Sequence, residues 1–124
     1  MAQMAPLISI VDDDDSVRES LPDLLKELGF SSRAFSSARE FLESDVPGKA
    51  QCLILDVTMP VMSGPELWRE LKRRGIQIPV IFITAIRDEA LRARLLQDGA
   101  VACLFKPCDE ALLLEALDAA LRTR

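Results

Sequence analysis

Histidine does not occur among the 124 residues. Its absence removes Ser-His and Cys-His catalysis, zinc sites that use imidazole, and histidine as a phosphate carrier. Cysteine is scarce: Cys52, Cys103 and Cys108 are odd in number and fit no CxxC or zinc spacing. Reduced thiols in a cytoplasmic setting are therefore expected, rather than a disulfide framework. No apolar run approaches the roughly 18 residues needed to cross a bilayer, and Met1–Ile10 lacks the charged start of a secretory signal. No basic run occurs and the net charge is −5, so the chain is a poor candidate for binding nucleic acid. Internal repeats, low-complexity tracts and linkers are also missing. What is present is ordinary for a single globular domain with a real core, at 49% hydrophobic and 28% charged residues.

The chain is organised around Cys52-Leu53-Ile54-Leu55-Asp56-Val57-Thr58-Met59-Pro60. Its apolar run is too short for a helix and reads as a strand buried on both faces. It stops at an aspartate, and a carboxylate at the carboxyl end of a buried strand sits where open α/β sheets place their ligands.

On either side, strands and helices alternate. Leu7–Val11 is strand-sized and ends in Asp12-Asp13-Asp14-Asp15. Val17, Leu21, Leu24, Leu25 and Leu28 then recur at helical spacing and close at Gly29. Pro22 lies well past the first turn, where it removes a backbone bond, so a kink or local break is expected there. Phe30–Phe35 is a second, more polar strand. Ser37-Ala38-Arg39-Glu40 matches a capping box and opens a short helix turning Phe41 and Leu42 inward. Ser63-Gly64-Pro65 starts a third helix, ended by Gly75. Ile78 to Ile83 is a fourth strand ending at Thr84, followed by a charged helix from Arg87 to Asp98. Ala100–Phe105 is a fifth strand, ending in Lys106-Pro107. Asp109 caps a last helix whose Leu113, Ala116, Leu117 and Ala120 form an inner stripe. Trp68 is expected to be partly exposed, a pointer to an interface, and Cys52 and Cys103 to be small core residues. Alternation of this kind predicts a parallel sheet with helices on both faces.

In a parallel sheet all strand ends share one edge, so Asp12, Asp13, Asp56, Thr84 and Lys106 can converge there. Carboxylates drawn together raise one another's pKa, and a hard divalent cation relieves the repulsion. Mg²⁺ suits such a site because it takes one or two carboxylates and leaves room for a phosphoryl oxygen. With a lysine charge and a threonine hydroxyl added, these are the parts of phosphoryl transfer to a carboxylate.

On Val11-Asp12-Asp13, Leu55-Asp56 with Met59-Pro60 and Gly64, Ile83-Thr84-Ala85 and Lys106-Pro107, the chain resembles the receiver domains of two-component response regulators. The Val17-Arg18-Glu19-Ser20-Leu21 stretch is most similar to the nitrogen-fixation and nitrate type of transcriptional regulator. The resemblance implies a flavodoxin-like (βα)5 fold of sheet order 2-1-3-4-5, with residues 1–124 as one receiver, its core about residues 7–122, and the effector domain outside this chain. It implies Asp56 as phosphoacceptor. Mg²⁺, for which Mn²⁺ can substitute, would be held by Asp13 and Asp56, by Asp12 through water and by the Thr58 backbone carbonyl. Lys106 would contact the phosphoryl group, Thr84 would swing toward it, and Lys106-Pro107 would be cis. It further implies a cytoplasmic partner of a sensor histidine kinase, with no activity beyond self-phosphorylation and loss of its own phosphoryl group. A small phosphohydrolase similar to the haloacid dehalogenases would want a second aspartate at position 58, where Thr58 stands. A binding-only pseudo-receiver would lack some of the five residues, all of which are present.

One departure bears on output. Such receivers carry Tyr or Phe three residues before the lysine, where this chain has Cys103. Coupling is therefore expected to run through Thr84 and the loop after it, with Phe105, on the same strand face as Cys103, as a substitute ring. The surface of the fourth helix and fifth strand would then favour a phosphorylation-dependent homodimer.

Overall fold

The structure, a computed structural model, describes residues 5–122. Five parallel strands alternate with five helices: β1 Leu7–Val11, α1 Asp15–Glu27, β2 Ser31–Phe35, α2 Ala38–Glu43, β3 Cys52–Asp56, α3 Gly64–Arg73, β4 Val80–Thr84, α4 Glu89–Gln97, β5 Ala102–Phe105 and α5 Glu110–Arg122. The sheet order is 2-1-3-4-5, the flavodoxin-like arrangement. Strands β1, β3 and β4 form the interior, and every residue of β3 and β4 is buried. That is why their sequences read as continuous apolar runs rather than alternating ones. The two edges differ: β2 alternates exposed and covered residues, and β5 buries only Cys103 fully.

Two apolar layers flank the sheet. Leu21 and Leu25 of α1 and Leu113, Ala116, Leu117 and Ala120 of α5 pack on Ile8, Ile10, Ile54, Ile81 and Ile83. On the opposite face Phe41 of α2, Leu67, Trp68 and Leu71 of α3 and Leu95 of α4 meet Val11, Leu53, Leu55 and Phe82. Each fully buried Leu or Ile contributes about 1.5–3 kcal/mol of transfer free energy, so the central strands are pinned from both sides.

Local chemistry sets the helix ends. Asp14, Ser37, Ser63 and Asp88 accept bonds from first-turn amides, as does Asp109 before α5. Ser63 and Glu66 form a reciprocal capping box that the sequence reading overlooked. Around Ser37 the box is incomplete, because the Glu40 carboxylate reaches the amide and hydroxyl of Ser36 instead of the Ser37 amide.

Other expectations also need correction. Of the kink or local break expected at Pro22, the break does not occur, since helix α1 is continuous through that residue. Strand β4 begins at Val80 rather than residue 78, since Pro79 has no N–H to give to a ladder. Trp68 is not partly exposed: its ring meets Phe82 edge-on at 5.5 Å, and the Lys72 ammonium lies 3.6 Å from its centroid. The lysine stem roofs the indole that amphipathic helix spacing turns toward the sheet.

Candidate functional site

The acidic group is assembled by two adjacent strand ends. β1 delivers Asp12 and Asp13, β3 delivers Asp56, and one oxygen from each of the three lies within 4.8 Å of the others. Asp12 is fully buried and Asp56 nearly so, whereas Asp13 is exposed at the mouth. The Asp14 amide donates to Asp12 Oδ1 at 2.9 Å. Lys106 Nζ stands 2.9 Å from Asp12 Oδ2 and 3.6 Å from Asp56 Oδ1. Asp12 Oδ2 takes no well-directed hydrogen bond, so its partner is the lysine charge alone.

This crowding has an electrostatic signature. Burial above all, and then the Asp12 charge, push the Asp56 carboxyl from its ordinary 3.8 to about 7, with Lys106 pulling the other way. Burial works against the Lys106 ammonium, but the close contact with Asp12 and the charges of Asp12 and Asp56 outweigh it and leave its pKa raised. One lysine thus partly offsets two buried carboxyl groups, leaving a net attraction for a further cation. The all-oxygen donor set and the under-bonded Asp12 Oδ2 fit Mg²⁺ or Mn²⁺.

The other expected residues fall nearby. Thr84 ends β4 buried, its hydroxyl accepting from the Ile86 amide at 3.1 Å and engaged with the loop that follows. Thr58 is exposed in the loop after β3, two positions beyond Asp56. The Lys106–Pro107 peptide is cis. Phe105 is half-buried, with the Arg87 guanidinium 5.1 Å from its centroid. Its position on an edge strand leaves that ring partly in water.

Several contributors have roles that the sequence did not show. Arg18 Nη1 donates to the carbonyl of Asp12 at 2.9 Å, and Nη2 pairs with Asp15, so one side chain brackets the acidic loop. Gly64 opens α3 so close to β3 that a Cβ there would overlap the Asp56 carbonyl oxygen, while its amide donates to the Val57 carbonyl at 3.0 Å. Val61, in the intervening loop, is fully exposed at φ +70°, a left-handed conformation that β-branched residues rarely adopt. Only tertiary proximity reveals these roles, although Gly64 was already among the residues singled out around Asp56.

Residues 8–118 match the family model for the response regulator receiver domain. The response regulator protein TodT of Pseudomonas putida is 43% identical over 122 residues, covering 98% of this chain and 54% of that protein. The transcriptional regulatory protein FixJ of Azorhizobium caulinodans is 40% identical over 114 residues, covering 92% and 54%. The chain thus spans about half the length of these curated relatives. The structure of the response regulator StyR superposes with a TM-score of 0.87 at 42% identity, covering 96% of this chain and 60% of that one. Among the described residues no helix is long and apolar enough to cross a membrane.

Proposed function

This chain belongs to the response regulator receiver domain family, and on that premise we propose that it is a phosphorylation-dependent switch in which Asp56 accepts a phosphoryl group from a sensor histidine kinase. The family consists of signalling regulators rather than classical enzymes, and the relatives named above include transcriptional regulators. In this reading residues 1–124 act as one receiver in the cytoplasm, and the output is transcription through an effector outside this chain. The chain contains no histidine, so a phosphohistidine donor lies outside these 124 residues.

The observation that carries the proposal is the position of Lys106, against both Asp12 and Asp56 at the mouth of a three-carboxylate pocket. An Asp56 carboxylate oxygen attacks phosphorus, the new O–P bond forms as the P–N bond of the donor breaks, and the electron pair leaves with the kinase imidazole. Lys106 offers its ammonium to the charge on the phosphoryl oxygens. Asp13, Asp56 and the Thr58 carbonyl would hold Mg²⁺ or Mn²⁺ directly, and Asp12 through water. When bound, the cation supplies positive charge that lets carboxylates and phosphoryl oxygens approach one another. Thr84, released from Ile86, turns toward the phosphorylated Asp56, and the α4–β5 face rearranges to favour a homodimer. Water later cleaves the acyl phosphate, returning the carboxylate and inorganic phosphate.

Incubation with a small acyl phosphate and Mg²⁺, followed by intact mass, tests this. A gain of roughly 80 Da, one phosphoryl group, is expected for the native chain and not for Asp56→Asn. An adduct that persists in Asp56→Asn would overturn the assignment.

A further inference from the structure

Helix α4 is attached differently from its neighbours. Of its nine residues Leu95 alone is fully buried, with Leu91 partly buried against the same layer, whereas α3 buries Gly64, Leu67, Trp68 and Leu71 in ten. Nor does α4 rest on a strong strand, since β5 is an edge of the sheet. A short helix with so little apolar contact lies at the low end of local stability and needs another restraint.

Two arginines supply one. Arg92 Nε donates to the backbone carbonyl of Cys103 on β5 at 3.1 Å, and Arg87, just ahead of α4, lays its guanidinium over Phe105. Cys103 and Phe105 are two apart on one strand and so share a face. The segment from Thr84 to Arg92 is therefore tied at both ends. At one end the Thr84 hydroxyl, beside the acidic pocket, holds the Ile86 amide. At the other the Arg92 guanidinium holds the edge strand. Cys103 presents only a small buried thiol, so its side chain cannot fill the space between β5 and α4 as a ring would, and the arginine reaches past it to the main chain.

We propose that Arg92 is the latch of the unphosphorylated state, and that its bond to the Cys103 carbonyl sets how readily phosphorylation at Asp56 rearranges the α4–β5 face. This rests on the switch function proposed above and names how that switch is regulated. A contact made in only one of two states shifts their ratio by its own free energy, and the shift is felt reciprocally at the phosphorylation site. One hydrogen bond from a charged donor whose side chain is partly exposed to solvent corresponds to a change of about three- to tenfold in that ratio.

The test compares Arg92→Ala, Arg92→Lys and Arg94→Ala with the native chain. Arg94, exposed on the same helix, controls for loss of charge. Amide exchange across residues 89–97 is read first, on the unphosphorylated domain with Mg²⁺ withheld, so it does not depend on Asp56 chemistry. Arg92→Ala should speed that exchange about three- to tenfold. With acyl phosphate and Mg²⁺ it should accelerate Asp56 phosphorylation and strengthen self-association by a similar factor. Arg92→Lys, which keeps the charge but loses the Nε donor, should behave like the alanine variant, and Arg94→Ala like the native chain. The latch is refuted if α4 exchange is unchanged in Arg92→Ala, if Arg92→Lys matches the native chain, or if Arg94→Ala loosens α4 equally. If the native chain takes up no phosphoryl group while Arg92→Ala still loosens α4, the switch function fails and the restraint on α4 stands.

Discussion

Helices α3 and α4 lie on the same face of the sheet and follow the two strands that end in Asp56 and Thr84, yet they are held by different physics. α3 begins with a complete capping box, closes on the Asp56 main chain through Gly64, and buries an aromatic edge against Phe82. α4 begins with one aspartate cap and leans on Leu95, Leu91 and an arginine. The contrast teaches where a two-state element can reside. In the switch proposed above, the acceptor would need fixed geometry and sits on the rigid side, whereas the surface proposed to move lies where few buried groups would have to be unmade.

The comparison breaks first if the two helices prove equally important to stability. Leu71→Ala in α3 removes a fully buried side chain and should cost about 3 kcal/mol in urea unfolding. Leu91→Ala in α4 removes a partly buried one and should cost about 1 kcal/mol. Equal losses would end the distinction.

Metal should sharpen it next. At 100 times its dissociation constant, Mg²⁺ should raise stability by about 2.7 kcal/mol, and Asp13→Asn should lose most of that gain. Amide exchange should slow around residues 12–14 and 56–59 and hardly change in α4. Thermal melts with and without Mg²⁺ check the first statement; an undiminished effect in the Asp13 variant would remove Asp13 as a ligand.

Gly64→Ala tests the rigid side at one atom. The added methyl group meets the Asp56 carbonyl, so about 2 kcal/mol of stability should be lost, together with slower phosphorylation of Asp56. An alanine variant with native stability and rate would show that α3 need not approach so closely.

The remaining prediction is the pH dependence with metal chelated. Asp56 titrates near 7 when folded and near its ordinary 3.8 when unfolded. Between those values the folded domain holds a proton that the unfolded chain has released. Stability from this group therefore falls as pH rises from about 4 to about 7 and levels off above. Denaturation midpoints across that range, compared with Asp56→Asn, isolate the contribution, which should vanish in the variant.

Much of this was legible beforehand because buried parallel strands announce themselves. Leu7–Val11, Cys52–Leu55 and Ile78–Ile83 are short, mainly apolar runs, each followed at once by a polar residue, Asp12, Asp56 or Thr84, and parallel pairing alone sends those ends to one edge. Helix ends were legible to the extent that single residues decide them, as at Asp109 and Gly29. Glu40 was misjudged because its carboxylate had two amides within reach and spacing cannot say which it takes. Trp68 was misjudged because cover from a lysine stem one turn away is invisible to composition.

The sequence by itself determined the alternation of strands and helices, the common edge, and the residue types gathered there, because hydrophobic periodicity and chain direction are local properties. Only the tertiary structure decided how those residues are charged and restrained. The high pKa of Asp56 needs both burial and the nearby Asp12 charge. The bracket on the acidic loop needs the Arg18 side chain folded back on Asp12. The hold on α4 needs Arg92 to find a carbonyl eleven residues along the chain. Each depends on distances of a few ångströms between separate elements, and it is at those distances that desolvation and hydrogen bonding take effect.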